Sequence, residues 1–196
     1  YFTGLYAAET SPEGTLQAPE KFAKNVNSKF HEATPVFTKD GNTMYFTRNN
    51  FNNGKKGKDA NKVTLVKIYK ASFENDNWDK VTELPFDSDS YSVAHPTLSP
   101  DEKTLYFASD MPGTLGQSDL FKVKINDDGS YSTPQNLGKA INTEGRETFP
   151  FVTPQNELYF ASDGHPGLGG LDIFVSKAEK DGSYKDVLNV GEPLNS

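Results

Sequence analysis

The chain has 196 residues, 34% of them hydrophobic and 12% aromatic, with 27 acidic against 20 basic side chains and a net charge of −7. A hydrophobic share below the roughly 45–50% of average domains would fit a disordered chain, but the modest net charge and the 14 Phe and 9 Tyr exclude that reading, since each ring can bury roughly 150–250 Å². No apolar run approaches the ~20 residues of a membrane-spanning helix, the lack of cysteine excludes disulfides and thiolate chemistry, and the acidic balance argues against nucleic acid as a partner.

Read in chain order, a small set of elements keeps returning. An aliphatic–aromatic pair, Leu5-Tyr6, is followed by a polar corner at Asn27-Ser28. An X-Pro segment comes next, Thr34-Pro35-Val36-Phe37, then the turn Lys39-Asp40-Gly41-Asn42 and the apolar segment Thr43-Met44-Tyr45-Phe46-Thr47. After the loop 49–61 come Ile68-Tyr69 and the corner Asp89-Ser90. The order then repeats: His95-Pro96-Thr97-Leu98, Ser99-Pro100-Asp101-Glu102, Thr104-Leu105-Tyr106-Phe107-Ala108, Leu120-Phe121, Asn142-Thr143. It repeats once more as Phe149-Pro150-Phe151-Val152, Glu157-Leu158-Tyr159-Phe160-Ala161, Ile173-Phe174 and Asn195-Ser196. Phe107 to Phe160 and Phe121 to Phe174 are both 53 residues. Phe46 to Tyr69 spans 23 residues where the matching intervals span 14, which places a nine-residue insertion in the first full unit. Tyr1-Phe2-Thr3 resembles the ends of the Tyr-Phe segments, but lies only four residues ahead of Tyr6.

Each unit reads as four strands, here called a to d. Proline suits the start of an edge strand (a), Asp-Gly and Ser-Pro supply turns, and Asp119–Ile125 alternates apolar and charged residues as a half-buried strand does. Asn126-Asp127-Asp128-Gly129 and Glu179-Lys180-Asp181-Gly182 read as hairpin turns. Strand d is weak and polar, around 135–137 and 187–189. Four-stranded units at a fixed period are the signature of an all-β propeller. The expected organisation is a single partial propeller: residues 1–30 as the outer strands of one blade, 31–90 as a blade with the inserted loop 49–61, then blades at 91–143 and 144–196. Three and a half blades form an open arc where propellers close with four to eight, so the chain is read as part of a larger propeller.

The segments Ser99–Asp110 and Asp163–Phe174 resemble the WD40-like (PD40) β-propeller repeat family, which includes TolB-type propellers, and the resemblance runs along the whole chain. The corner Leu137–Thr143, echoed at 190–196 and 22–28, is most similar to propellers of OmpA-family envelope proteins of Bacteroidota. The resemblance implies a periplasmic or outer-membrane-associated protein, partnered by other envelope proteins, with peptidoglycan reached through domains not present in this chain and with some relatives associated with type IX secretion. Arg48-Asn49 departs from the family's Ser-Asp.

Candidate chemistry is sparse. There is no Gly-x-Ser-x-Gly elbow, and the histidines, His31, His95 and His165, fall at different phases of the repeat without metal-ligand spacing. Asp110/Asp119 and Asp163/Asp172 bracket a Gly-rich loop, where capping of loop amides is favoured over calcium binding. No catalytic residue, cofactor or metal is therefore expected. The inserted loop concentrates Lys55, Lys56, Lys58 and Lys62 beside Phe51 on an acidic chain, a contact for an anionic protein face. The corners supply a second candidate surface in Glu32, Tyr91, Arg146 and Glu147. The expected function is a non-catalytic scaffold for protein–protein interaction. A glycan- or peptidoglycan-binding module is the alternative, which requires exposed aromatics on one face, and a two-carboxylate glycosidase the least favoured.

Overall fold

The computed structural model of the chain describes residues 2–52, 54–179 and 181–196. Tyr1, Asn53 and Lys180, which the sequence places in a strand-like start, the inserted loop and a hairpin turn, lie outside the described residues. The described residues hold sixteen strands and no helix. A two-stranded ribbon, β1 (Tyr6–Ala7) and β2 (Glu20–Lys21), forms the outer part of the first blade. The second blade is β3 (Glu32–Phe37), β4 (Thr43–Asn49), β7 (Val66–Glu74) and β8 (Asn77–Glu83), with β5 (Phe51–Asn52) and β6 (Lys55–Lys56) forming a separate ribbon in the insertion. The third is β9 (Val93–Leu98), β10 (Thr104–Ser109), β11 (Asp119–Lys124) and β12 (Gln135–Asn136). The fourth is β13 (Glu147–Val152), β14 (Glu157–Ser162), β15 (Asp172–Ala178) and β16 (Tyr184–Asn189). In all three complete blades the strands are hydrogen-bonded in chain order as antiparallel meanders.

Strand b shows why both faces of a blade are apolar. Side chains alternate across a strand, so along β4 Met44 and Phe46 face the first blade while Tyr45 faces the third. Along β10, Leu105 and Phe107 face backward and Tyr106 and Ala108 forward. The core is therefore a series of layers between blades. The first joins Leu5 and Val26 to Met44, Phe46, Tyr69 and Trp78. The second joins Tyr45, Ile68, Leu84 and Phe86 to Leu105, Phe107, Phe121 and Val123. The third joins Tyr106, Leu120 and Ile141 to Leu158, Phe160, Phe174 and Tyr184. Stacked rings recur within them, Phe86 on Phe107 at 4.9 Å and Phe160 on Phe174 at 6.0 Å. A tyrosine pair ties each of the last two layers, with hydroxyls 3.0 Å apart for Tyr45 and Tyr131 and 3.1 Å for Tyr184 and Tyr106.

Strand a carries a bulge in every complete blade. Thr34, His95 and Phe149, each directly before a proline, adopt φ of 47°, 58° and 49°, and the a–b register shifts there. Positive φ is costly for a side chain branched at Cβ such as Thr34, and the proline that follows has no N–H for a ladder. Thr47 offsets part of the cost, its hydroxyl lying 2.8 Å from that of Thr34 and accepting the His95 N–H at 2.8 Å.

The corners also follow one plan, with one shift. The Asn27, Asn142 and Asn195 amides each accept a hydrogen bond from the strand-c backbone N–H and donate to its carbonyl, at Leu5, Leu120 and Ile173. In the second blade that place belongs to Asp87, which accepts from Ile68 N and Leu84 N at 3.2 and 2.9 Å. The sequence anchor at Asp89 is therefore two residues off, because the corner after Leu84 is shorter than the one after Leu137. At the start of the chain, Thr3 O accepts the Glu32 N–H as Ser118 O accepts that of Glu147, so Thr3 leads into the place of strand c.

Candidate interaction surfaces

The inserted segment is an ordered ribbon held at its base. Asn50 N–H donates to Leu65 O at 2.8 Å, Gly57 N–H to Asn50 O at 3.0 Å, and the Asn50 amide to Asp89 at 2.6 Å. A Cβ on Gly57 would lie 2.1 Å from the Asn50 amide nitrogen, so the return of the chain requires glycine there. Beneath it, buried Lys67 bridges Glu83 at 2.9 Å and Asp89 at 2.7 Å. Burial alone would lower its pKa, but the hydrogen bonds it donates to Asp89 and Glu83 outweigh that and hold the ammonium above its ordinary value.

On this base Lys55, Lys56, Lys58 and Lys62 are all exposed, while Phe51 is half-buried. Phe51 packs edge-on to Phe30 at 5.0 Å, and Phe30 to Phe2 at 5.6 Å. Lys56 lies 4.1 Å above the Phe30 ring, and Lys29 lies 5.9 and 5.8 Å from the rings of Phe30 and Phe51. Among the described residues, no carboxylate forms an ion pair with any of these five lysines. The result is a cationic ridge over an aromatic footing, on an otherwise acidic chain. The sequence located its lysines and Phe51, but not Lys29, Phe30 or Phe2. Those three sit outside the insertion and belong to the ridge only through the packing of the first blade on the second.

The corner surface divides. Arg146 is exposed and forks onto Asp163, with Nε–Oδ2 of 2.8 Å and a second contact of 2.7 Å. This pair and the Arg146 N–H hold the Asp163 carboxyl below the usual range. Tyr91 is half-buried and donates to Phe86 O at 2.9 Å. Glu147 and Glu32 belong to no exposed surface: they are 0% and 1% exposed. Glu147 accepts from Thr143 N and Oγ1 at 2.7 Å each and from Ser162 Oγ at 2.6 Å, which ties strand a to its corner. Glu32 occupies the same place in the second blade, and burial raises its pKa against the pull of Ser28 and Arg48.

The loop aspartates separate in space. Asp119 accepts from Leu115 and Gly116 N–H and Asp172 from Leu168 and Gly169 N–H, capping their Gly-rich loops. Asp110 accepts from Ser92 N–H, as Asp163 does from Arg146 N–H, and Asn49 serves His31 N–H in the same way. That is how the Arg48-Asn49 departure is accommodated. Among the described residues, no three His, Asp or Glu side chains form a metal-holding group. His165 is half-buried, its Nε2 lying 2.8 Å from Ile141 O, and His31 is the exposed histidine. His95 packs on Phe149 with ring centroids 3.9 Å apart and planes tilted by 38°, and burial depresses its pKa to about 4.

Exposed aromatics do occur. Phe149 and Phe151, 50% and 57% exposed, line a shallow apolar concavity of about 570 Å³ on the outer face of the fourth blade, with Tyr159, Ala161, Ile173 and Leu194. Repeat phase alone could have found this surface, because Phe151, Tyr159, Ala161, Ile173 and Leu194 have buried counterparts one unit earlier in Thr97, Tyr106, Ala108, Leu120 and Ile141.

No protein-family profile and no curated protein matches the chain. Solved structures do match. An α-L-arabinofuranosidase from Lactobacillus brevis has a TM-score of 0.56 over 90% of this chain at 14% identity. TolB from Acinetobacter baumannii gives 0.50 over 91% at 17%, and a puromycin-hydrolysing peptidase of Mycobacterium tuberculosis 0.53 over 89% at 16%. The chain spans 57%, 36% and 26% of the lengths of those three proteins. Likeness at this identity concerns fold, and the fold is a β-propeller of four-stranded blades.

Proposed function

We propose that the chain is a non-catalytic propeller scaffold that binds a protein partner through the lysine ridge of its second blade. The observation that carries this reading is a set of five exposed lysines with no ion pair among the described residues, of which Lys29 lies against the rings of Phe30 and Phe51 and Lys56 against that of Phe30. On a chain of net charge −7 such a local excess of positive charge fits an acidic partner face, where complementary charge speeds encounter and fixes orientation. The setting is a bacterial envelope assembly, periplasmic or outer-membrane-associated and of the kind linked to type IX secretion. That part rests on the resemblance of the repeat corners to OmpA-family propellers of Bacteroidota. No helix among the described residues is long and apolar enough to cross a membrane.

A photo-crosslinking phenylalanine analogue at position 51, with a control at the exposed Leu188, tests this in envelope extracts. Adducts to protein from position 51 and none from 188 support the scaffold. Adducts from 188 alone, or none from either site, remove the ridge as a binding surface. A second reading, a glycan-binding module, draws on the exposed ring of Phe2 beside Phe30 and His31, since flat aromatic faces bind sugar rings by apolar contact. A hydrolase activity like those of the structural neighbours is the third.

A further inference from the structure

At the foot of the lysine ridge, a small polar cleft separates the corner of the first blade from the second blade. It encloses about 250 Å³ between Asn25 and Ser28 on the corner and Arg48, Phe51, Asn52 and Val81 opposite. Arg48 is only 7% exposed. Its guanidinium carbon lies 3.9 Å from the centre of the Tyr69 ring, and its Nη2 donates to Phe51 O at 3.0 Å. Among the described residues, its Nε has no hydrogen-bond partner and no carboxylate forms an ion pair with it.

The later blades show what this position does elsewhere. Arg48 stands opposite Glu32 across strands a and b, as Ser109 stands opposite Val93 and Ser162 opposite Glu147. Both serines close onto strand a or the residue ahead of it. Ser162 Oγ donates to the Glu147 carboxylate and Ser109 Oγ to Ser92 O, each at 2.6 Å. Arg48 makes no such bond, and both oxygens of Glu32 stay buried without a partner among the described residues. A buried cation with no counter-charge is costly, and a position that breaks the local rule of its own repeat marks a functional site more often than a packing site.

We propose that the cleft is the anchoring subsite of the ridge and seats on Arg48 one carboxylate side chain, aspartate or glutamate, from an acidic segment of the partner. Lys29, whose Nζ lies 5.8 Å from the Phe51 ring at the cleft wall, and Lys56, 4.1 Å above Phe30, then meet neighbouring acids of the same segment. A planar guanidinium matches a carboxylate through two parallel hydrogen bonds, and the cleft has room for one side chain. This rests on the ridge being the binding surface and specifies which residue anchors the partner.

The probe is a fluorescent octaglutamate peptide with both ends blocked, read by anisotropy at low salt. It is titrated with the native chain, with Arg48→Ser and with the K55E/K56E/K58E/K62E variant. Arg48→Ser places beside Glu32 the serine of the later blades, so Tm is expected to stay within about 3 °C of the native value. Affinity for the peptide should fall about tenfold or more, and the peptide should shift the Arg48 Nε–H resonance of the native chain. Equal binding by Arg48→Ser, with the lysine variant weakened, would overturn the subsite and leave the ridge standing. An unmoved Arg48 resonance at saturating peptide overturns the subsite whatever the Tm of the variant. No binding to the native chain removes the ridge and the cleft together. A shift produced by inorganic phosphate and not by the peptide would assign the cleft to a free anion instead.

Discussion

Asp87 and His95 are the residues whose titration the fold alters most usefully. Burial pushes the Asp87 carboxyl up to about 7 against the hydrogen bonds of Leu84 and Ile68, and depresses His95 to about 4. The folded chain therefore keeps a proton on Asp87 that the unfolded chain releases, and stability from this group falls as pH rises between about 4 and 7. His95 acts with the opposite sign: the unfolded chain takes up the proton, so its contribution is lost as pH falls from about 6.5 toward 4. Asparagine holds the position of Asp87 at the other three corners. Asp87→Asn should remove the falling limb. Its urea stability relative to the native chain is expected to improve by roughly 2–4 kcal/mol between pH 4 and pH 7, and parallel curves would refute the assignment. The sequence could not show this group, because Asp89 mimics the repeat better than Asp87 does. Only the hydrogen bonds to strand c reveal which residue closes the corner.

At the scale of strands and blades, the alternating strand b and the residue ahead of each corner amide or carboxylate carry the packing. Ile141→Ala empties a fully buried site and is expected to cost about 2–4 kcal/mol. Leu194→Ala, its counterpart one repeat later, should cost less than ~0.5 kcal/mol because the side chain is mostly exposed. Paired denaturant titrations check this, and equal losses would mean that Leu194 is covered as Ile141 is, against its exposure. Strands and blade order were legible in the sequence because aromatic pairs at a 53-residue spacing survive any uncertainty in strand ends. Burial of Glu32 and Glu147 was not legible. A carboxylate at a strand start reads as a surface group, and only the structure shows that Thr143 and Ser162 satisfy Glu147, while both oxygens of Glu32 are buried without a hydrogen-bond partner among the described residues. The insertion was found by length alone, yet its form as a ribbon under a cationic ridge depends on Phe30 from a different part of the repeat.

As a whole molecule, the chain is an acidic arc of blades with one basic ridge, and its low hydrophobic content follows from thin sheets with wet outer strands. Layers between blades hold the arc together, which leaves loops free to carry function without loss of stability. The claim that most needs testing is that the ridge recognises an acidic partner. Immobilised native chain and the K55E/K56E/K58E/K62E variant should be compared for capture from envelope extracts at low and high salt, with sedimentation on purified peptidoglycan alongside. The scaffold reading predicts a protein captured by the native chain at low salt, weakened by salt screening and lost with the charge reversal, at unchanged Tm. Equal capture by both chains, or binding to peptidoglycan with no protein retained, would contradict it.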